Sequence, residues 1–219
     1  MSAIAELVAL LAPPACLVCG AGVPAAARLC DLCVEELPWL APGCPRCALP
    51  SHRPGGCPAA GAAFDSAAAP MAYLGPARAL VGALKFRGAL PVAAMMAEQV
   101  AAALDLRGEA IVAVPPAPRR RRRRGFDPAG ALAAELSERV GLPLAAALRR
   151  GNAPRQVGTD RGSRRDGSRL AVSATGPAPA QVLLVDDVHT TGTTLDACAR
   201  ALRAAGAERI EAVTYARTL

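Results

Sequence analysis

The stretch Val182-Leu183-Leu184-Val185-Asp186-Asp187-Val188-His189-Thr190-Thr191-Gly192-Thr193-Thr194 decides the fold. Four apolar residues, Val182–Val185, end in two carboxylates, Asp186 and Asp187. A short polar loop follows, then a helical period with apolar positions at Leu195, Cys198, Ala199 and Leu202. An uninterrupted apolar run is the pattern of a parallel strand buried on both faces. Such a strand delivers Asp186 and Asp187 to the carboxyl edge of its sheet, where open α/β folds bind ligands. The loop Thr190–Thr194 offers backbone N–H groups and hydroxyls at a helix N-terminus, a setting that favours a phosphate dianion. Gly192 lets the backbone come close to that anion. The acids alone would repel phosphate; beside this loop they suit a ligand with hydroxyls next to a phosphate, such as ribose 5-phosphate. The same residues also read as a plain strand end before a capped helix, or as the acidic pair of a receiver domain. A receiver needs a later lysine, and none follows Lys85.

Outward from this stretch, short apolar runs alternate with helical periods. Strands are expected at Met71–Leu74, Ala110–Val114, 169–172, Val182–Val185 and Ile210–Thr214. Helices are expected at Pro91–Leu104, Pro128–Val140 and Thr193–Ala205. The alternation predicts an α/β fold with a parallel sheet and helices on both faces. The chain has 219 residues, 53% of them apolar but only 3% aromatic, so small side chains must do most of the packing. Of the 25 basic residues only Lys85 is a lysine, and the net charge is +7. Lys85 lies in Leu84-Lys85-Phe86, which excludes a P-loop. No Gly-x-Gly-x-x-Gly follows a strand, so a dinucleotide fingerprint is missing. No run approaches the 18 or so apolar residues of a membrane span. Met1–Leu11 is apolar but carries Glu6 and no basic leader, and reads as a short amphipathic helix rather than a signal peptide. A cytoplasmic setting with reduced cysteines is the expectation.

Seven of the eight cysteines fall between Cys16 and Cys57. They set apart a module over residues 1–60, an Ala- and Gly-rich connector over 61–70, and a larger domain over 71–219. Cys16/Cys19, Cys30/Cys33 and Cys44/Cys47 are CxxC pairs, each placing two thiolates within reach of one tetrahedral zinc ion. The first two pairs are expected to hold a structural zinc; disulfides or a redox pair are the alternative. Cys44, Cys47, His52 and Cys57 follow the spacing of a CCHC knuckle. They read either as a second zinc site or as a degenerate loop, since Ala60 stands where a further cysteine would complete a fourth pair. Trp39 is the module's only aromatic residue, and metal binding would supply the folding free energy that its core lacks.

After Val112-Ala113-Val114-Pro115-Pro116-Ala117-Pro118 come six arginines, Arg119 to Arg124, then Gly125-Phe126-Asp127. The prolines predict a rigid turn that exposes a basic loop. Guanidiniums suit bidentate phosphate contacts, but six in a row cannot all face one anion. A solvated loop and nucleic-acid contact are the other readings. His189 reads as a solvated loop residue rather than a catalytic base, and Cys198 as a core residue.

The acid pair and its loop resemble the signature of type I phosphoribosyltransferases, which bind phosphoribosyl pyrophosphate (PRPP). The resemblance implies that Asp186 and Asp187 meet the ribose hydroxyls at the catalytic centre. It implies that Thr190, Thr191, Gly192, Thr193 and Thr194 hold the 5′-phosphate. Arg119 and Arg124, with Lys85, would approach the pyrophosphate, and Mg2+ would accompany PRPP. The order of motifs is similar to that of the ComF family of competence-associated proteins: CxxC knuckles, Leu84-Lys85-Phe86-Arg87-Gly88, Arg124-Gly125-Phe126, Gln156-Val157-Gly158 with Arg161 and Arg164, then Asp186 to Gly192. This chain carries Asp127-Pro128 where that family usually has Asn-Gln. The resemblance implies a zinc ribbon before a phosphoribosyltransferase-like domain, a link to DNA uptake, and other DNA-uptake proteins as partners. Residues 149–169, rich in Arg, Gly, Asp and Ser, read as a lid or else as a linker. Three functions follow: phosphoribosyl transfer to an unknown acceptor, single-stranded DNA handling with PRPP as a regulatory ligand, or a PRPP-sensing scaffold.

Overall fold

The computed structural model describes residues 14–25, 27–151 and 170–219. The expected helix at 1–11, the Gln156-Val157-Gly158 motif with Arg161 and Arg164, and nearly all of the lid at 149–169 lie outside the described residues. Its strands are β1 (Ser66–Ala68), β2 (Met71–Ala72), β3 (Ala110–Ala113), β4 (Leu148–Arg150), β5 (Val172–Ala174), β6 (Gln181–His189) and β7 (Arg209–Arg217). Its helices are α1 (Asp31–Glu35), α2 (Gly75–Arg87), α3 (Pro91–Ala103), α4 (Pro118–Arg124), α5 (Pro128–Val140) and α6 (Thr193–Ala204).

The main sheet runs β1-β7-β6-β3, and every pairing in it is parallel. β2 also pairs with β7, beyond β1 along the same edge. Side chains alternate across a strand, and the alternation sorts the core into two layers. Ile111, Leu183, Val185, Val213 and Tyr215 face α2, α3 and α5, meeting Leu80, Leu84, Met96, Leu132 and Leu136. Val112, Val182, Leu184, Ile210 and Ala212 face α6, meeting Leu195, Cys198, Ala199 and Leu202. Cys198 is fully buried, as a core residue should be. Helix boundaries follow local chemistry: Asp127 caps α5 by accepting from the Gly130 N–H, Pro128 opens it, and Gly141 closes it at φ 70°.

Several expectations need correction. The connector 61–70 contains β1, paired to β7 through Ser66–Ala68, and the fully buried Phe64. β5 begins three residues later than expected, at Val172, and pairs antiparallel with β4, apart from the main sheet. The arginine run is the helix α4 rather than a loop, ended by Gly125 at φ 77°. Its last-turn cations lie at the negative end of the helix dipole, which favours them there. His189 is not solvated: β6 extends to it and leaves it 2% exposed, edge-on to Phe64 at 6.1 Å. Among the described residues no helix is long and apolar enough to cross a membrane.

Candidate functional site

β6 and β7 run side by side to the carboxyl edge of the sheet, and there Asp186 and Asp187 open into a cavity of about 350 Å3. Lys85 reaches it from α2, Thr190 from the loop after β6, Thr194 from the first turn of α6, and Arg120 and Arg124 from α4. Asp127, Arg150 and Tyr73 complete the polar lining. The structure therefore brings together Lys85, Arg124, both acids and two of the loop threonines. Arg119, Thr191, Gly192 and Thr193 are not part of that lining, and Arg119 is exposed. Among the polar lining residues, Tyr73, Asp127 and Arg150 have no role at the site in the sequence reading, and Arg120 has one only as a member of the arginine run.

Lys85 Nζ lies 2.6 Å from Asp187 Oδ1. Asp186 accepts from the Asp187 N–H at 2.8 Å. Burial, and then the charge of Asp187, push the Asp186 carboxyl up to about 8; Lys85 pulls it the other way. Asp127 is raised by burial while its caps on α5 oppose the shift. Arg124 stacks over the Phe86 ring at 5.1 Å, and its buried Nε has no hydrogen-bond partner. The cavity thus sets three carboxyl groups against four cations.

The loop after β6 leaves main-chain donors open. Among the described residues, nothing accepts a hydrogen bond from the N–H groups of Thr191 and Gly192. The Thr191 and Thr193 hydroxyls lie 2.9 Å apart. Gly192 sits at φ +79°, and a Cβ there would come within 2.9 Å of His189 Nε2. Glycine is required for both reasons. Burial, aided by Arg217, lowers the pKa of His189 to about 4, which keeps its ring neutral near pH 7.

Two further clusters lie in the N-terminal region. The sulfurs of Cys16, Cys19, Cys30 and Cys33 are mutually within 4.8 Å, as are the ligand atoms of Cys44, Cys47, His52 and Cys57. Cys19 and Cys30 sulfurs are 3.7 Å apart, and those of Cys44 and Cys57 are 3.8 Å apart. A tetrahedral ion with Zn–S bonds of ~2.3 Å separates its sulfurs by about 3.8 Å, whereas a disulfide needs ~2.05 Å. Both spacings fit zinc and not disulfides. His52 settles the second cluster: its Nδ1 is 3.0 Å from the Arg53 carbonyl, and its Nε2 is buried without a hydrogen-bond partner. An imidazole that donates from one nitrogen and leaves the other unmatched is oriented as a metal ligand. His52 also brings the Cys44 thiol down to about 6. The second set has the geometry of a ligand shell, and both clusters support structural zinc.

Comparison with known proteins agrees with these features. Residues 92–218 match the family model of the phosphoribosyl transferase domain, and residues 7–61 that of the double zinc ribbon domain. No curated protein matches the chain. Among solved structures, it is similar to the glutamine PRPP amidotransferase of B. subtilis complexed with ADP and GMP, at 19% identity and a TM-score of 0.40. That match covers 56% of this chain but 25% of the amidotransferase, so the chain spans a quarter of its length. A purine phosphoribosyltransferase from Pyrococcus horikoshii is 18% identical over 65% of this chain and 82% of that one, with a TM-score of 0.32.

Proposed function

The chain belongs to the phosphoribosyl transferase domain family, and from that premise we propose that it binds Mg–PRPP at the edge of the sheet and transfers the phosphoribosyl group to an acceptor. One observation carries the reading: the acid pair, the anion-ready loop and two guanidiniums of α4 meet around a single cavity. The loop Thr190–Thr194 holds the 5′-phosphate through backbone N–H groups and hydroxyls. Asp186 and Asp187 hold the ribose hydroxyls and face the positive charge that develops on the ring as pyrophosphate leaves. Arg120, Arg124 and Lys85 take the pyrophosphate, with Arg150 beside them. The hard oxygens of Asp127, Asp186 and Asp187 suit Mg2+, which when bound screens the charge of the leaving group. Residues so placed act by preorganised electrostatics.

The order of motifs together with a ribbon before a transferase domain supports membership of the ComF type and, through it, a place in DNA uptake. Two thiolate-rich metal sites suit a reducing cytoplasm. Calorimetry with PRPP and Mg2+, followed by a search for pyrophosphate release across a panel of acceptors, tests the proposal. Saturable binding that Asp186→Asn/Asp187→Asn abolishes is the expected result. Binding without release under any acceptor would leave a PRPP-sensing scaffold, and no binding would overturn the reading.

A second reading rests on a separate observation. Arg119, Arg121, Arg122 and Arg123 are exposed outside the cavity on one short helix. They form a cation patch that a single-stranded DNA backbone could track, with PRPP as a regulatory ligand. Binding should then weaken by about 0.7 log units per log unit of salt for each phosphate neutralised. Serine at these four positions should remove that slope and leave PRPP binding in place.

A further inference from the structure

Arg217 ends β7 and is 4% exposed, the one buried arginine among the described residues. Among the described residues no carboxylate pairs with it. Main-chain carbonyls hold it instead. Its Nη1 donates to the carbonyls of His189 at 2.9 Å, Thr190 at 2.6 Å and Thr218 at 2.6 Å. Its Nε donates to the Cys47 carbonyl at 2.8 Å. A buried guanidinium without a counter-charge is costly to hold, and plain packing at this strand end would be met by an apolar side chain. Its four acceptors belong to three segments distant in sequence. His189 and Thr190 are the two residues from which the loop Thr191–Thr194 departs. Cys47 is a ligand of the second metal tetrad and is fully buried. One planar group therefore spans the metal knuckle and the root of the anion loop.

We propose that Arg217 is a positioning residue: it fixes the carbonyls of His189 and Thr190 so that the following N–H groups face the anion, and it ties that loop to the Cys44/Cys47/His52/Cys57 tetrad. The state of the tetrad then sets the affinity of the loop for a sugar phosphate. The Cys47 main chain is held from one side by its own thiolate ligation and from the other by Arg217. Loss of the ligand set frees the Cys47 carbonyl, and Arg217 loses its anchor. The two carbonyls of the loop root then share a guanidinium that is no longer located. A buried positive charge beneath the loop also favours the anion directly, so lysine should restore part of the effect and methionine none.

The test measures ribose 5-phosphate affinity by calorimetry, zinc per chain, and amide hydrogen exchange across residues 190–194. The proteins are the full chain, Arg217→Met, Arg217→Lys, Cys57→Ser, and Arg209→Met as a control at an exposed position of the same strand. Arg217→Met should keep both zinc equivalents, bind at least about tenfold more weakly, and exchange faster at 190–194 than elsewhere in the sheet. Arg217→Lys should fall between it and the parent. Cys57→Ser should lose one zinc equivalent, show the same local exchange, and weaken binding in the same direction but less than Arg217→Met, because it keeps the buried charge. The control should match the parent. The affinity arm rests on the sugar-phosphate reading above, whereas the exchange arm does not. A parent that fails to bind ribose 5-phosphate but shows the exchange pattern overturns that reading and retains the tie. Unchanged exchange at 190–194 in Cys57→Ser overturns the tie, and equal behaviour of Arg217→Met and Arg217→Lys overturns the role of the charge. If Arg217→Met does not fold, Arg217→Gln takes its place as the uncharged variant, and Cys57→Ser still tests the tie.

Discussion

Burial and the Asp187 charge raise the Asp186 carboxyl to about 8, so near pH 7 the ligand-free chain carries a proton there. A carboxyl raised on folding contributes stability that is full below its unfolded pKa and is lost as pH rises through about 8. Ligands that prefer the carboxylate must expel the proton. Binding of Mg–PRPP at pH 7 should therefore release close to one proton, read as a dependence of the calorimetric heat on buffer ionisation enthalpy; a buffer-independent heat would refute it. Lys85 is one of the groups holding Asp186 down. Lys85→Met should push the carboxyl higher and move the pH midpoint of binding upward. His189 works in the opposite sense. Its pKa is lowered to about 4, so its contribution is full above its unfolded value near 6.5 and is lost as pH falls toward 4, at most roughly 3 kcal/mol. Between those two pH values the two groups act in opposite senses, so His189→Phe should leave the fall set by Asp186 unopposed and make stability drop as pH rises from about 4 to 6.5, measured by denaturant unfolding.

At the scale of elements, the loop between β6 and α6 depends on one glycine. Gly192→Ala would place a side chain in a left-handed conformation and against His189 Nε2. The cost should be about 1–3 kcal/mol of stability, with a larger proportional loss of sugar-phosphate affinity; equal affinity in the variant would mean that the loop does not hold the anion. β6 and α6 are legible in the sequence because Val182–Val185 is apolar throughout and Leu195, Cys198, Ala199 and Leu202 keep a helical period. α2 also carries a readable signature, Pro76 at its start and Gly88 at φ 61° past its end, and so does α4 with Pro118 and Gly125. Composition hid both, one behind a run of small residues and the other behind six like charges. β1 had no such signal: Ser66–Ala68 is a strand only because β7 offers it a free edge. The acid pair and the loop are contiguous in sequence and could be read together. Arg150, Asp127 and Arg217 join the site through tertiary packing, which no local pattern encodes.

At the scale of the whole molecule, the N-terminal region does not stand off from the sheet. Cys16, Leu29, Cys33 and Leu37 belong to the same core layer as α2, α3 and α5. Cys47 and Ala59 belong to the opposite layer, with Phe64 and α6. Arg46 donates to the carbonyls of Ala59, Ala62, Phe64 and Asp65. Main-chain bonds join Leu40 to Pro70, Pro38 to Ala72 and Pro45 to Ala67. One thiolate cluster thus buttresses each face of the sheet, and the chain that follows the second cluster forms β1 at its edge. A structural zinc contributes on the order of 10 kcal/mol to a small domain, comparable with the ~5–15 kcal/mol by which a whole folded chain is usually stable. Because the clusters share their cores with the sheet, loss of both ions should lower the stability of the whole chain. Metal analysis should find two zinc equivalents per chain, and a strong chelator should lower a single calorimetric transition of the entire protein. Two transitions, of which the chelator moves only one, would show instead that the ribbon folds apart from the sheet.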